Sequence, residues 1–375
     1  MIPERWEYGS DFHSCLRGPT KSANLPWSNH PHSLWSTGRD ALYALLTHGR
    51  STQLIDRLWC PTYFCQSVVE VISRTGLSVR LYKDDPTLAR PNLQIGGIGT
   101  KDAVLTIGYF GLRKPLSHDH LPAGTLLIED HSHDLLSSWS RLSSAHFCLA
   151  SIRKTVPVPD GAVLWSPRGM PVPQPSDLAD ARQAAIFKRL AAMLLKSEYL
   201  AGASISKEVY RDLAVSGEDA FRLTTASTMS AYSQSMLGCF DFESARLARV
   251  ENFRRFKQQL AKTPHLDLLP QLDEGAAPFT VMLLFDTGAR RDSVRKLLIM
   301  RRIYPAVLWP LEHSPVGDLP SEQIELSRRL MCLPCDDRYS TKDVDAVCRA
   351  VSEIVAASEG APAESAQAEG RPVSA

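Results

Sequence analysis

Short apolar runs alternate with amphipathic stretches between about Ser36 and Trp165. The apolar runs predict buried strands at 53–59, 77–82, 103–110, 125–130, 146–151 and 161–165. Two stretches, DALYALLTHG and CQSVVEVISRTG, space their apolar residues three or four apart and predict helices that end at Gly49 and Gly76. Strands that alternate with helices are typical of a parallel sheet with crossover helices, so this region is predicted to be an α/β domain.

The second half of the chain changes its pattern near residue 235. Segment 176–201 is helix-like, and apolar residues recur at three- and four-residue steps between Phe240 and Leu260, which predicts a long helix between two domains. Beyond it, FTVMLLFD, RRDSVRKLLIMRR and IYPAVLWP predict a strand, a helix and a strand of a smaller α/β domain. The predicted divisions are an N-terminal segment (1–30), a large domain (31–235), a small C-terminal domain (236–357) and a disordered tail (358–375).

Composition narrows the class of protein. A chain of 375 residues has room for about two domains, and a formal net charge of +1 gives no broad basic surface for nucleic acid. The sequence has no signal-peptide pattern and no apolar run long enough to span a bilayer, so we expect a cytoplasmic protein without a membrane partner. The eight cysteines form no pair of CxxC motifs, since CLPC at Cys332 and Cys335 stands alone, and we expect reduced thiols and no metal site.

A strand-end carboxylate is the first candidate for chemistry. The apolar run LLIEDHSHD ends at Glu129 and Asp130, and the carboxyl ends of strands are where α/β sheets bind ligands. A carboxylate there could pair with a buried cation such as the protonated pyridine nitrogen of a cofactor. Taken alone, Asp130 would also suit a helix cap or a loop.

A lysine after the next strand is the second candidate. In LASIRKTVPVPDGAVLW, Lys154 follows the strand-ending Ser151 by three residues and lies between two apolar strands. Partial desolvation there would lower its pKa and free the amine as a nucleophile, while the Ser151 hydroxyl could contact phosphate. Arg153 could pair with the same phosphate or face water. A lone loop lysine is ordinarily solvated surface.

A glycine turn that opens a helix is the third candidate. In WSTGRDALYALL, backbone N–H groups at the helix start, the Ser36 or Thr37 hydroxyl and the small Gly38 would together form an anion site. By itself the same segment also suits a helix cap with Asp40 in the first turn.

Taken in order, these three segments resemble the fold-type-I pyridoxal-phosphate (PLP) enzymes and, among them, the DegT/StrS-like sugar aminotransferases. STGRDAL resembles the family's phosphate-binding helix start, with Gly38 matching and Arg39 where threonine is usual. CPTYFCQS resembles a segment whose aromatic residue stacks on the cofactor ring, but Cys65 stands at that position, so Tyr63 or Phe64 would have to stack. Spacings of about ninety residues from turn to acid and about twenty-four from acid to lysine also resemble the family's.

The remaining motifs extend the resemblance over roughly residues 30–355. Asp130 matches the acid on the pyridine nitrogen, His133 the residue near the ring's phenolic oxygen, and Lys154 the Schiff-base lysine, although Ser151 precedes it by fewer residues than usual. LPCDDRYSTKDVDAV resembles the end of the family's small domain. The family's Asn-x-Arg motif is missing, and the residues that could replace it are Ser227, Ser230 and Tyr232.

The resemblance implies an aspartate-aminotransferase-like α/β fold with a mixed, mostly parallel sheet in the large domain. It also implies a homodimeric, PLP-dependent transferase that moves an amino group from an amino acid donor to a keto acceptor, such as a keto-sugar nucleotide or a biosynthetic intermediate, through a Lys154 internal aldimine. The catalytic residues would be Asp130, His133 and Lys154. The cofactor-binding residues would be Thr37, Gly38, Arg39, Tyr63, Phe64, Asp130, Ser151 and Lys154.

Substrate contacts are predicted from position alone: Tyr109 with Phe110 after one strand, Trp309 with His313 after another, and Arg338 with Tyr339. An arginine there would suit an α-carboxylate. The same cofactor supports elimination, replacement, decarboxylation and carbon–carbon bond formation, so a PLP-dependent lyase, replacement or carbon–carbon bond-forming enzyme is the alternative. A non-enzymatic relative that keeps the fold as a binding module is a third hypothesis.

Overall fold

The computed structural model describes residues 5–9, 11–14, 25–90, 93, 95–114, 121–269 and 274–357. The predicted tail at 358–375 and half of the predicted N-terminal segment 1–30 lie outside these residues. The strands are β1 (Tyr8–Gly9), β2 (His32–Trp35), β3 (Arg57–Pro61), β4 (Ser78–Tyr82), β5 (Asp102–Ile107), β6 (Leu126–Asp130), β7 (Phe147–Ala150), β8 (Ala162–Trp165), β9 (Leu266–Leu269), β10 (Thr280–Phe285), β11 (Ile303–Tyr304) and β12 (Leu330–Pro334). The helices are α1 (Gly38–Ser51), α2 (Gln66–Ser73), α3 (Ser138–Leu142), α4 (Asp180–Leu200), α5 (Lys207–Ala220), α6 (Ala231–Leu237), α7 (Phe242–Leu260), α8 (Gly288–Met300), α9 (Ser321–Arg329) and α10 (Thr341–Ala357).

Seven strands form the main sheet in the order β2-β8-β7-β6-β5-β3-β4. Strands β3 to β7 run parallel, and β8 runs antiparallel to both of its neighbours. Every residue of β5, β7 and β8 is buried, and all but Asp102 and Thr106 are apolar, as is typical of strands covered on both faces. The predicted mixed, mostly parallel sheet is confirmed, and β6 lies inside it between β5 and β7.

Several predicted boundaries are corrected by tertiary packing. Helix α1 does not end at Gly49 but continues to Ser51. Gly49 allows Ile55 to pack closely against the helix, since a Cβ at position 49 would lie 2.6 Å from Ile55 Cδ1. The run predicted as a strand at 53–59 begins pairing only at Arg57, after a turn at Gln53 with φ 56°. The run 103–110 ends its strand at Ile107 and continues as a 3-10 turn at Tyr109–Gly111.

The second half folds around the antiparallel sheet β12-β10-β9, and β1 pairs with β11. Helices α4, α7 and α8 confirm the predicted helical segments. IYPAVLWP is not one strand: only β11 and a single bridge from Ala306 to Cys332 pair, since Pro305 and Pro310 lack the N–H that a ladder needs. One apolar core includes residues from both predicted domains, and the boundary near residue 235 stays a prediction. None of the described helices is both long and apolar enough to cross a membrane.

Candidate functional site

Lys154 and Asp130 lie at the carboxyl ends of two adjacent parallel strands. Asp130 ends β6, and a 3-10 turn at Ile152–Lys154 follows β7. Burial lowers the pKa of Lys154, against the opposing effects of Cys65 and Asp130, while burial raises the pKa of Asp130 against the effect of Lys154. Lys154 as a whole residue is partly exposed, whereas its amine is buried. The structure therefore brings the two predicted residues together.

A pair of hydrogen bonds holds these two strand ends in place. The Ser132 backbone N–H donates to Asp130 Oδ1 over 2.8 Å, and the Ser151 N–H donates to Ser132 Oγ over 2.9 Å. Ser132 thus links the carboxylate to the turn that carries the lysine. The two functional groups are fixed by backbone atoms at the ends of core strands, which limits their motion.

The glycine turn at the start of α1 packs against the turn that carries Lys154. A Cβ built on Gly38 would lie 3.4 Å from the Ser151 Cβ, so the start of α1 touches the turn after β7. The Gly161 N–H donates to the Ser36 carbonyl over 2.8 Å and joins this turn to the loop beyond the lysine. The hydroxyls of Ser36 and Thr37 both donate to Asp40, at 2.9 and 2.8 Å. Both hydroxyls of the predicted anion site are thus engaged by a carboxylate of the same helix start.

Three arginines converge on one glutamate beside the turn. Glu218 on α5 lies 2.8 Å from Arg153, 2.8 Å from Arg189 of α4 and 3.6 Å from Arg39. We call these four residues the Glu218 cluster. Although burial opposes ionisation, the arginines lower the pKa of Glu218 to about 2. Sequence reasoning missed Glu218 and Arg189, because neither lies in a motif and only the α4–α5 hairpin brings them to Arg39 and Arg153.

His133 lies among aromatic rings near the lysine. Its imidazole stacks on Phe279 at 4.5 Å and on Trp309 at 5.4 Å between ring centroids, and the Phe110 N–H donates to its Nδ1 over 3.4 Å. Burial and the nearby charge of Lys154 lower the pKa of His133 well below its usual range. A neutral ring whose Nδ1 accepts a hydrogen bond carries its proton on Nε2.

Trp309 is the substrate candidate that the structure places at the lysine. The Lys154 Nζ lies 6.0 Å from the centroid of the Trp309 ring. Tyr63, Phe64 and Tyr109 surround the same indole at centroid distances of 6.2, 5.9 and 6.4 Å. These four aromatic residues form one packed group that restricts access of water to one side of the site.

Tyr63, Phe64 and Cys65 form the segment predicted to stack on the cofactor ring, and they differ in exposure. Tyr63 and Phe64 are buried, and the Tyr63 hydroxyl is bound to the Leu308 carbonyl at 2.9 Å. Cys65 is partly exposed, and it opposes the effect of burial on the pKa of Lys154 more than any other neighbouring group does. Of these three residues, Cys65 alone is partly exposed, and the stacking role of Tyr63 or Phe64 stays a prediction.

The Arg338 side chain is bound by Asp336, two residues earlier in the chain. Its guanidinium forms a bidentate pair with Asp336 at 2.7 and 2.9 Å and lies 4.2 Å from the Phe12 ring centroid. Ser230, one of the residues considered in place of the missing motif, donates its hydroxyl to Asp160 over 2.6 Å. Both side chains have structural partners in the described part of the chain, and their ligand roles stay predictions.

Comparison with known proteins gives the class of fold. No family model matches the sequence, and no curated protein does. Solved structures do match over most of their length: the aminotransferase TlmJ from Streptoalloteichus hindustanus is 18% identical, with 88% of this chain and 87% of that chain covered and a TM-score of 0.56.

Two further structures have the same architecture. S. venezuelae DesV in complex with a ketimine intermediate is 17% identical, covers 86% and 84% of the two chains and has a TM-score of 0.56. The sugar aminotransferase CalS13 from Micromonospora echinospora is 13% identical, covers 86% and 87%, and has a TM-score of 0.56. At these identities the likeness establishes the fold, and the predicted aspartate-aminotransferase-like architecture is confirmed.

Proposed function

We propose that this protein is a PLP-dependent aminotransferase with Lys154 as the residue that binds the cofactor covalently. The observation that carries the proposal is the position of Asp130 and Lys154 at the carboxyl ends of the adjacent parallel strands β6 and β7, where each affects the pKa of the other. Ligands of α/β sheets bind at this edge. A buried lysine whose pKa is lowered is a better nucleophile at neutral pH than an ordinary one, because more of it is uncharged.

The residues present fit the chemical groups of PLP. Gly38 has no side chain where it meets Ser151, so a phosphate can approach the N–H groups of α1. Arg39 and Arg153 add positive charge beside that turn. Asp130 offers a buried carboxylate for the pyridine nitrogen, since among the described residues only Ser132 donates to it.

The chain's residues would divide the work as follows. The cofactor, when bound, supplies an electron sink for the bond changes at the substrate carbon. Asp130 would keep the pyridine nitrogen protonated, and His133 would be a neutral donor for the phenolic oxygen. The Lys154 amine would carry the proton at the substrate carbon, and Trp309 would shield it from water.

An amino acid is the proposed donor and a keto compound the proposed acceptor. Support for a keto-sugar acceptor comes from the similar solved structures, which include a sugar aminotransferase and DesI in the presence of its TDP-sugar product. A second candidate is another PLP reaction, elimination, replacement or carbon–carbon bond formation. It is favoured by Cys65 at the lysine, where the resembling family has an aromatic residue.

A homodimer is proposed from the surface of the α4–α5 hairpin. Phe187 and Leu194 lie seven residues apart on α4 and are 59% and 44% exposed, and Leu223 just beyond α5 is 65% exposed. Large exposed apolar side chains grouped on one element mark interaction sites. The same hairpin carries Glu218 and Arg189, so a second copy bound here would lie beside the proposed cofactor site.

Absorption spectroscopy and mass spectrometry test the assignment of the lysine. PLP added to the purified protein should give a visible band, and borohydride reduction should fix the cofactor to Lys154, as found by peptide mass spectrometry. Lys154→Ala should lose both signals, whereas Lys188→Ala, which removes an exposed lysine of α4, should keep them. A visible band that persists in Lys154→Ala without added amine would sink the lysine assignment.

The same spectrum separates the two candidate reactions. An amino donor such as glutamate should convert the bound cofactor to its pyridoxamine form, with loss of the visible band. If no amino acid of a panel causes this conversion, while one is consumed by elimination or replacement, the alternative reaction is the correct one.

A further inference from the structure

A group of side chains that could bind a metal ion lies on the face of the sheet opposite Asp130. Neighbouring residues of a strand point to opposite faces, so Glu129 points away from the face that Asp130 occupies. Glu129, His131 and Cys148 are all buried, and each offers one donor atom within 4.8 Å of the others. None of the three takes part in the proposed reaction.

The spacing of these donors matches a metal-binding set. His131 Nε2 lies 3.0 Å from Glu129 Oε2, and Cys148 Sγ lies 3.9 Å from the same oxygen. Bonds of about 2.0–2.3 Å at tetrahedral angles place zinc ligands roughly 3.3–3.7 Å apart. Shifts of a few tenths of an ångström would bring these two pairs to that separation, and the third pair lies within 4.8 Å.

The surroundings have the arrangement that supports a metal ligand. Asp134 accepts from the other ring nitrogen of His131, with Nδ1 2.9 and 3.0 Å from its two oxygens. A carboxylate behind a histidine fixes the ring and makes the free nitrogen a stronger ligand. The Ser143 hydroxyl, 2.6 Å from Glu129 Oε2 and 3.2 Å from Cys148 Sγ, supplies a fourth possible donor atom on the same side.

We propose that Glu129, His131 and Cys148 bind one zinc ion that joins the end of β6 to β7. A thiolate, an imidazole and a carboxylate together suit Zn²⁺ better than Mg²⁺ or Ca²⁺, which prefer oxygen ligands alone. Binding removes the proton from His131 Nε2 and the thiol proton from Cys148, and both leave to solvent. The ion then neutralises the thiolate and the Glu129 carboxylate, which would otherwise be two buried charges. The role is structural, since the ligands are buried.

Metal analysis tests the site on the full-length protein. Mass spectrometry of the dialysed protein should find about one zinc per chain, and most of it should be lost in Cys148→Ala and Glu129→Gln. Cys60→Ala is the matched control, because Cys60 is a buried thiol on β3 of the same sheet, and it should keep the zinc. Lys154→Ala should keep it as well, which separates this site from the proposed cofactor site.

Cobalt spectroscopy keeps the test decisive if a variant fails to fold. Co²⁺ added to metal-free wild-type protein should give a thiolate-to-cobalt charge-transfer band, recorded as a difference spectrum without PLP. Cys148→Ser with an unchanged circular dichroism spectrum should lack it. Wild-type protein that holds no stoichiometric zinc and gives no cobalt band overturns the proposal, as does zinc that stays bound in Cys148→Ala.

Discussion

The amine of Lys154 gains its reactivity from where the chain places it rather than from any single partner. Burial disfavours its charged form, and Cys65 and Asp130 only partly oppose that effect. The amine is consequently uncharged over more of the pH range than the ordinary lysine pKa of 10.5 allows. A nucleophile is active in this uncharged form.

Schiff-base formation at Lys154 should therefore level off below pH 10.5. A lowered pKa leaves the amine deprotonated at lower pH, so the rate of reaction with added PLP should rise with pH and reach its plateau before that value. Stopped-flow absorbance at the visible band measures it. A rate that still climbs through pH 10.5 would show that burial does not perturb the amine.

The site position of a residue was predictable where a sequence motif lies at the end of a predicted strand. Asp130 and Lys154 follow apolar runs that are core strands, so their meeting follows from strand direction alone. Tyr63 and Phe64 were named for stacking because they are aromatic, yet packing buries them against Trp309. The metal-ligand candidates were missed because cysteines were judged by their spacing from other cysteines, whereas Cys148 meets a histidine and a carboxylate of the adjacent strand.

At the scale of elements, the Glu218 cluster fastens the α4–α5 hairpin to the main sheet. Arg39 belongs to α1 and Arg153 follows β7, so one carboxylate joins four segments of the chain. Glu218→Gln should lower the free energy of unfolding by roughly 2–3 kcal/mol, because buried arginines are left without their counter-charge. Urea unfolding measures it. Glu322→Gln, which breaks the exposed pair with Lys83, is the control and should change nothing measurable.

The contribution of Glu218 should also depend on pH. Its pKa in the folded protein, about 2, is below its ordinary value of 4.5, so the stabilisation is complete above pH 4.5 and is lost as the pH falls toward 2. The stability difference between wild type and Glu218→Gln should shrink over that window. A difference that stays constant down to about pH 3 would mean that the carboxylate is not held by the arginines.

Most elements were predictable, and their errors have local causes. Periodicity found α4 and α7 to within a few residues, because each has one buried face. It failed at IYPAVLWP, where apolar character reflects packing around Trp309 rather than strand pairing. It also could not place the α4–α5 hairpin against the sheet, since the contacts that hold it are charged and lie far apart in sequence.

For the whole molecule, the exposed residues of α4 predict the state of assembly. Phe187→Glu should convert a dimer to a monomer, because the new charge would be buried in the interface at a high cost. Size-exclusion chromatography with light scattering measures the mass. Leu142→Glu is the control, since Leu142 is 79% exposed on α3, and it should leave the mass unchanged. A wild-type protein that is monomeric at every concentration would contradict the dimer.

Strand β6 serves both sides of the sheet with two consecutive residues, Glu129 toward one face and Asp130 toward the other. A point substitution can therefore alter either group while the other keeps its surroundings. Insertion or deletion of one residue within β6 would exchange the two faces and place the wrong carboxylate at each. During divergence of this chain, a substitution in β6 can change the residues on one face of the sheet alone. A change in the length of β6 would alter both faces at once.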